Sequence, residues 1–207
     1  MKIITVSREF GSGGREVGKR LSDLLGFAYY DNEIITHLAR ESSLDEGYLA
    51  NISERGYAMS AMPITIGRTF AGVGAMQHQT AELMGMQSRI IKNLAKSGDC
   101  IIVGRNADTL LEEYHPFRIF VYADMQSRIE RCKKRATGGE DMTDREIERR
   151  IREIDRGRRR NHNMASASKW GEKEGYELCL NTSKLDIKPL TAIVAQLAQL
   201  YFEENKL

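Results

Sequence analysis

The sequence predicts an α/β fold in which a parallel sheet is covered by helices on both faces. Short apolar segments rich in β-branched residues alternate with longer segments of helical apolar spacing, and this alternation is typical of parallel sheets. The chain has 207 residues, of which 41% are hydrophobic and 29% are charged. This length and composition fit one domain spanning residues 1–207.

Each element is predicted from its apolar pattern. The predicted strands cover residues 2–6, 27–30, 100–103, 118–122 and 177–181. The predicted helices cover residues 15–25, 33–41, 82–96, 125–136, 143–160 and 188–203. Gly26 is expected to end the first helix, and Thr143 is expected to form a capping box with Glu146. Residues 42–80, rich in Met and Gly, are predicted to form a mobile insert or an acceptor-side region.

Composition excludes several classes of protein. No apolar run approaches the roughly 18 residues that cross a bilayer, and the apolar start of the chain is too short for a secretory signal. Cys100, Cys132 and Cys179 lack metal-ligand spacing and are expected to be free thiols in a reducing compartment. We therefore expect a cytoplasmic protein without a membrane partner.

The charge pattern argues against nucleic acid as a partner. Eight arginines lie between positions 145 and 160, but acidic residues are interleaved with them, and the net charge is only +2. Proteins that bind duplex nucleic acid usually carry a clear basic excess. The cluster either contacts an anion or forms a solvated helix face.

The segment between the first strand and the first helix is the strongest functional signal. It contains Gly11, Ser12, Gly13 and Gly14. Such a loop points its N–H groups inward, and the start of the helix adds partial positive charge, so the loop suits a phosphate. The alternative is a simple tight turn, although a turn needs fewer glycines.

Residues 13–19 also match the pattern GxxxxGK, but its lysine is misplaced for phosphate binding. The residue after Lys19 is Arg20, which offers no hydroxyl to a magnesium ion. The apolar spacing of Val17 and Leu21 places Lys19 inside the first helix, about 200° around the axis from Val17. Lys19 is therefore expected to be a solvent-exposed helix residue.

Several segments of the chain resemble the cytidylate kinase-like family of small bacterial proteins. The segments are VSREFGSGGRE at residues 6–16, YYD at 29–31 and VGRNADT at 103–109. The arginine-rich residues 128–160 resemble the family's lid and the helix that follows it. The resemblance covers nearly the whole chain, and residues 42–80 are its poorest part.

The resemblance implies a fold and a reaction. The fold is a P-loop kinase-type three-layer αβα sandwich with a five-stranded parallel sheet and a helical lid at about residues 125–160. The reaction is phosphoryl transfer from ATP, with Mg²⁺ as cofactor, to a CMP-like nucleoside monophosphate or another small acceptor.

The chain departs from the usual P-loop pattern at chemically important positions. The phosphate-binding lysine falls on Gly14, the Ser/Thr pair falls on Arg15 and Glu16, and an acid near the metal falls on Val103. Arg15 or Arg8 can supply the missing charge, because a guanidinium group suits phosphate. No residue obviously replaces the hydroxyl, so no metal ligand is predicted.

The resemblance assigns the donor-side residues. The residues expected to bind the donor's phosphates are Gly11, Ser12, Gly13, Gly14, Arg15, Glu16, Arg128 and Arg135. Arg128, Arg131 and Arg135 are spaced by three and four residues and so share one helix face. Arg15 and Arg131 are expected to be catalytic, because such cations compensate charge on the transferred phosphoryl group. The alternative for the three lid arginines is an exposed face paired with nearby acids.

The resemblance also assigns the acceptor side. Arg105 follows an apolar strand and is expected to hold the acceptor's phosphate, the alternative being an ion pair with Asp108 or Asp31. Asp31 is expected to bind the acceptor and to act in catalysis, the alternative being a turn residue or the N-cap of the next helix. Further acceptor-binding candidates are Asp155, Arg156 and Arg159.

Two functions from different classes remain open. One is an ATP-dependent nucleotide kinase, and the other is a nucleotide-binding regulatory or scaffold module that has kept the fold and lost the transfer. The sequence does not identify the acceptor. The Met- and Gly-rich residues 56–76 can close over the acceptor or contact a second subunit, so a homodimer is left open.

Overall fold

The structure, a computed structural model, describes residues 1–42, 46–47, 49, 72–135 and 142–205. Of residues 72–80 it describes only the backbone. Most of the predicted mobile insert at residues 42–80 therefore lies outside the described residues. Part of the predicted lid, residues 136–141, lies outside them as well.

The centre of the molecule is a five-stranded parallel sheet. Its strands are β1 (Ile3–Arg8), β2 (Ala28–Tyr30), β3 (Cys100–Val103), β4 (Phe117–Tyr122) and β5 (Leu178–Asn181). Their order is β2-β3-β1-β4-β5, and every neighbouring pair is parallel. The five-stranded parallel sheet of the predicted fold is thus confirmed. The first strand runs further than predicted, so that Arg8 is its last residue.

Seven α-helices are present in the part of the chain that the structure describes. They are α1 (Gly14–Leu25), α2 (Glu33–Ser42), α3 (Gly72–Lys96), α4 (Ala107–Leu110), α5 (Met125–Arg135), α6 (Asp144–Ala165) and α7 (Ile187–Glu204). α4 is not predicted by the sequence pattern, and α3 starts at Gly72 rather than at residue 82. Across the described ranges, no helix is long and apolar enough to span a membrane.

Two hydrophobic clusters cover the two faces of the sheet, as the alternation of side chains along a strand requires. Ile3 of β1 belongs to the cluster with Leu38 of α2 and Ile91 of α3. The next residue, Ile4, belongs to the opposite cluster, with Leu21 of α1 and helix α7. Each such buried side chain stabilises the fold by about 1.5–3 kcal/mol. The result is the three-layer sandwich that the sequence predicts.

Two predicted helix ends are confirmed. Gly26 follows α1 with φ 70°, the left-handed conformation that glycine adopts without strain, and its N–H donates to the Ser22 carbonyl. Thr143 precedes α6, and its hydroxyl accepts from the Glu146 N–H while the Glu146 carboxylate accepts from the Thr143 N–H. α6 continues to Ala165, beyond the predicted end at residue 160.

Candidate active site

The carboxyl ends of parallel strands lie at one edge of a sheet, where such folds bind ligands. At this edge β1 passes through residues 9–13 into α1. Gly11 and Gly13 have φ values of 78° and 86°, which favour glycine. Gly13 is the N-cap of α1 and provides no side-chain cap. The first amides of α1 are thus not used by a cap and can bind an anion.

Arg128 of α5 anchors this loop from outside. Its Nε donates to the Phe10 carbonyl at 2.7 Å, and its Nη1 lies 3.1 Å from a Glu9 carboxylate oxygen. Its Nη2 contacts the Asp155 carboxylate of α6. Only 5% of the Arg128 side chain is exposed. The guanidinium group therefore joins the loop, α5 and α6 through buried, charged hydrogen bonds.

Arg131 of α5 holds the other end of the loop together with Thr182, which follows β5. Arg131 Nη1 donates to the Ser12 carbonyl at 3.3 Å and to Thr182 Oγ1 at 3.1 Å, and its Nη2 donates to the Thr182 carbonyl. The buried Thr182 hydroxyl donates to the Ser12 carbonyl at 2.6 Å. Arg135, one turn further along α5, lies 3.3 Å from the Glu16 carboxylate. The three predicted lid arginines therefore all reach the loop or the first turn of α1.

α6 reaches the loop through two residues one helical turn apart. Asp155 Oδ1 accepts from the Phe10 N–H at 2.8 Å. Arg158 Nη1 donates to the Arg8 carbonyl at 3.2 Å, and its guanidinium lies 5.6 Å from the centre of the Phe10 ring. From α6, Asp155 therefore contacts the glycine loop, and Arg158 contacts the end of β1 and the Phe10 ring.

The other two candidates on α6 do not share that position. Arg156 is exposed to solvent, and Arg159 lies over the ring of Trp170 at 5.6 Å. The structure therefore brings Asp155 to the glycine loop. The acceptor-binding roles of Asp155, Arg156 and Arg159 stay predictions.

Asp31, which follows β2, lies at the same edge of the sheet as the glycine loop. It is buried, and its Oδ2 lies 2.6 Å from Nε of Arg15. Its Oδ1 lies 3.9 Å from Nη2 of Arg8. Arg15 also donates to Asn32 Oδ1 at 3.2 Å. The carboxylate of Asp31 thus faces two guanidinium groups, and Arg15 is directed toward the end of β2.

The backbone after β3 is unusual. Gly104, Arg105 and Asn106 have φ values of 75°, 59° and 55°. For a residue with a side chain, this left-handed conformation costs about 1–2 kcal/mol. Gln87 donates to the Arg105 carbonyl at 3.3 Å, and Asn106 Nδ2 donates to the Asn161 carbonyl at 3.1 Å. Strain of this kind is common at functional sites.

A buried polar network lies behind the loop. Asp108 Oδ2 accepts from the Ser7 hydroxyl at 3.0 Å and lies 3.2 Å from His162 Nε2. Burial alone would raise the pKa of Asp108, but hydrogen bonds from His162 and Ser7 and the charge of His162 hold that pKa below its ordinary value. The network fixes α4 and α6 against β1.

Magnesium is the cofactor that the family resemblance implies, so its fit to these residues matters. Four carboxylates around the loop are each in an ion pair with an arginine; they are Glu9, Glu16, Asp31 and Asp155. Within the described ranges, no group of three or more His, Cys, Asp or Glu residues could hold a metal ion. The residues do not fit a protein-held magnesium ion at the loop.

The GxxxxGK pattern does not contribute to the site. Lys19 lies on α1 with 60% of its side chain exposed, and its Nζ is 2.9 Å from Asp23 Oδ1. The expectation that Lys19 is a solvent-exposed helix residue is confirmed.

The sheet order and the glycine loop between β1 and α1 define a P-loop kinase-type fold. The chain belongs to the cytidylate kinase-like family, whose model matches residues 3–184. No curated protein matches the chain.

Solved structures support the fold. A protein of Eubacterium ventriosum ATCC 27560, described as uncharacterized, is 20% identical with a TM-score of 0.68, covering 96% of this chain and 99% of its own. Shikimate kinase from Bacteroides thetaiotaomicron is 14% identical with a TM-score of 0.57, covering 98% of both chains. Shikimate kinase from Acinetobacter baumannii, in complex with shikimate, is 13% identical with a TM-score of 0.53, covering 100% of this chain and 96% of its own.

Sequence reasoning missed two residues that hold the loop. Thr182 follows the end of β5, and the rule that strand ends carry the site is a signal that could have identified it. Arg158 lies three residues after Asp155, so helical spacing predicts that the two share a face. His162 carried no such signal, because its partner Asp108 is distant in the chain.

Proposed function

We propose that this protein is an ATP-dependent phosphotransferase that acts on a small acceptor. A CMP-like nucleoside monophosphate is the acceptor that the family relationship makes the first to test. The observation that carries the proposal is the uncapped start of α1, at a glycine loop that lies beside the acidic and basic residues ending β2 and β3. A donor site and an acceptor site would thus share one edge of the sheet.

The loop supports the donor half of the proposal. Arg128 donates a hydrogen bond to the carbonyl oxygen of Phe10, and Arg131 donates one to the carbonyl oxygen of Ser12. Those carbonyls therefore point toward α5, and the free amides at Gly13 and the start of α1 are left for phosphate oxygens. Because the loop shape is fixed before any ligand binds, little reorganisation would oppose binding of a triphosphate.

The ends of β2 and β3 support the acceptor half. Asp31 is buried beside Arg15, and Arg105 is held in a left-handed conformation at the end of an interior strand. A guanidinium group binds a monophosphate in a forked geometry, while a carboxylate accepts hydrogen bonds from an acceptor's hydroxyl or amino groups. In the proposed reaction Arg105 holds the acceptor's phosphate and Asp31 orients the acceptor.

Charge compensation is the remaining requirement of phosphoryl transfer. Arg15 and Arg131 are the proposed catalytic cations, and Arg135, which is more than half exposed, is proposed to turn toward the donor when nucleotide binds. Magnesium is proposed to arrive as part of the nucleotide complex rather than on protein ligands.

The second candidate function is a nucleotide-binding module without transfer. The carboxylates around the loop are all ion-paired, and Gly14 replaces the usual lysine, which favours this alternative. The two functions share the donor site and differ only in turnover.

One experiment with two readouts separates these possibilities. A thermal-shift panel of nucleoside mono-, di- and triphosphates, with and without magnesium, tests binding, and an ADP-coupled assay with ATP tests transfer to each monophosphate. If the protein is a kinase, ATP raises its melting temperature, and ADP forms only when an acceptor is present. A binding module shows the shift without acceptor-dependent ADP. Absence of any shift with any nucleotide contradicts both functions.

A further inference from the structure

We propose that Arg8, at the end of β1, supplies the phosphate-binding cation that P-loop kinases place at the start of the first helix. Gly14 occupies the position of the usual P-loop lysine. The side chain of a lysine there would fill the space that the Arg8 side chain occupies in this protein. This inference rests on the proposed donor site, and its ligand class is the terminal phosphates of a nucleoside triphosphate.

The side-chain stem of Arg8 packs directly on Gly14. A Cβ atom added at Gly14 would lie 2.5 Å from Arg8 Cβ and 2.9 Å from Arg8 Cγ. Distances this short between carbon atoms are overlaps that a packed interior does not accommodate. The stem of Arg8 therefore excludes any side chain at residue 14.

The backbone conformation of Gly14 does not itself require glycine. Gly14 is the first residue of α1, and its φ is not positive, whereas the φ of neighbouring Gly13 is 86°. Gly13 must be glycine for its conformation, but Gly14 has ordinary helical geometry that any residue adopts. Glycine at residue 14 is thus explained by the Arg8 stem and not by the backbone.

Beyond Gly14, the guanidinium group of Arg8 runs toward the end of β3. A Cβ atom at Gly104 would overlap Arg8 Nη1, so the group passes directly over that residue. Gly104 follows the end of β3, and its φ of 75° favours glycine by itself. Gly14 therefore makes room for the Arg8 stem, and the guanidinium group fills the space that is open over Gly104.

The path ends between the proposed donor and acceptor sides. Arg8 is only 8% exposed, and its Nη2 lies 3.9 Å from the Asp31 carboxylate, beyond hydrogen-bond distance. By contrast, 49% of the Arg15 side chain is exposed, and its Nε lies 2.6 Å from the same carboxylate. Arg15 neutralises Asp31 at close range, and Arg8 lies between Gly14 and Asp31, where a transferred phosphoryl group would sit. A buried guanidinium there interacts with phosphate more strongly than a solvated one.

The test begins with Arg8→Met, which keeps an unbranched apolar stem over Gly14 and removes the charge. Binding of inorganic triphosphate and of ATP is measured by calorimetry, together with the melting temperature, and Lys19→Met on the outer face of α1 is the matched control. We expect Arg8→Met to lose at least tenfold in affinity for both ligands and Lys19→Met to lose none. Unchanged affinity of Arg8→Met, with or without a lowered melting temperature, would overturn the proposal and make Arg8 a structural residue.

The exchange variant Arg8→Gly/Gly14→Lys provides the second test, and it is informative even where Arg8→Met is unstable. Gly14→Lys alone should lower the melting temperature, because its stem meets Arg8. Adding Arg8→Gly should restore stability and recover part of the triphosphate affinity that Arg8→Gly alone loses. If the effects of the two substitutions on affinity and on melting temperature are simply additive, the proposal that Arg8 takes the place of the lysine is contradicted.

The assignment of Arg8 and the proposed kinase function can fail independently of each other. A wild-type protein that binds triphosphate without transferring phosphoryl contradicts the kinase function and leaves the assignment of Arg8 open to both tests above. A wild-type protein that binds neither inorganic triphosphate nor ATP contradicts both proposals.

Discussion

The two sides of the candidate site are held together by different forces. Around the glycine loop, Arg128 and Arg131 donate to the backbone carbonyls of Phe10 and Ser12. Arg128 also pairs with two carboxylates, Glu9 of the loop and Asp155 of α6, so that the loop is fixed from outside. At the ends of β2 and β3, which form the proposed acceptor edge, one carboxylate, Asp31, faces two guanidinium groups, and Arg105 and Asn106 lie in a strained conformation.

This difference indicates how the site divides its tasks. A loop that must present free amides needs its carbonyls held elsewhere, and in α5 the buried Arg128 and the partly buried Arg131 hold them. An edge that must recognise an acceptor needs charged groups that change partner when the acceptor arrives. Substitutions on the donor side are therefore expected to affect stability first, and those on the acceptor side to affect ligand binding first.

The largest expected effect is that of Arg128→Met. The substitution leaves the Asp155 carboxylate, already mostly buried, without its guanidinium partner. Loss of one partner of a buried ion pair typically costs about 3–5 kcal/mol. We expect the free energy of unfolding, measured with urea, to fall by about 3 kcal/mol.

Arg135→Met is the matched control on the same helix. Arg135 is 54% exposed and pairs with Glu16, so its loss should cost less than about 1 kcal/mol. Equal destabilisation by the two substitutions would contradict the view that the loop is held by buried arginines.

Arg105→Ala is expected to have the next largest effect, on ligand binding rather than stability. Alanine keeps a Cβ at the left-handed position, so the backbone strain is unchanged while the guanidinium is removed. We expect the KM for the acceptor to rise about tenfold, which is about 1.4 kcal/mol, and kcat to fall. A lowered melting temperature with unaltered acceptor binding would show that Arg105 is structural.

Arg15→Ala is expected to have a smaller effect. Removing a charged hydrogen bond costs about 1–3 kcal/mol, and half of the Arg15 side chain is already solvated, so the lower end applies. Because Arg15 is directed toward Asp31, the acceptor should lose more affinity than ATP does in parallel titrations. A greater loss for ATP would return Arg15 to the donor side and weaken the assignment of Arg8.

Lys19→Ala is expected to have the smallest effect. Its side chain is exposed and pairs with Asp23 on the same helix, and such pairs contribute about 0.3–0.5 kcal/mol. Its Nζ also lies 5.8 Å from the centre of the Tyr29 ring. Nucleotide affinity should be unchanged within error. A tenfold loss, about 1.4 kcal/mol, would show that the GxxxxGK pattern is functional after all.

Much of the fold could be predicted from the sequence because its signals are local. All five strands appear within two residues of their predicted positions, since a buried parallel strand is a short apolar run with polar ends. The capping box at Thr143 and the glycine after α1 were likewise visible from spacing alone. Helix α4 was missed because a single turn has no apolar period to detect.

The site was less predictable because its contacts join distant segments. The spacing of the three α5 arginines predicted a shared face, but nothing local indicated that they would bond to loop carbonyls. On α6, Arg158 was not among the predicted site residues although it contacts the end of β1, because helical spacing does not show which partner a helix face meets. The path of Arg8 between two glycines depends on the packing of β1, α1 and the end of β3.

In the proposed site, the loop between β1 and α1 presents its amides to the phosphates of a nucleotide. The direct measurement is an NMR titration of the ¹⁵N-labelled protein with ATP, following the backbone amides of Gly11, Ser12, Gly13 and Gly14. We predict saturable shifts at these four amides at ATP concentrations that leave the amide of Lys19 unmoved. Saturable binding of ATP with shifts confined to other parts of the chain, or no shift at any concentration, would contradict the claim.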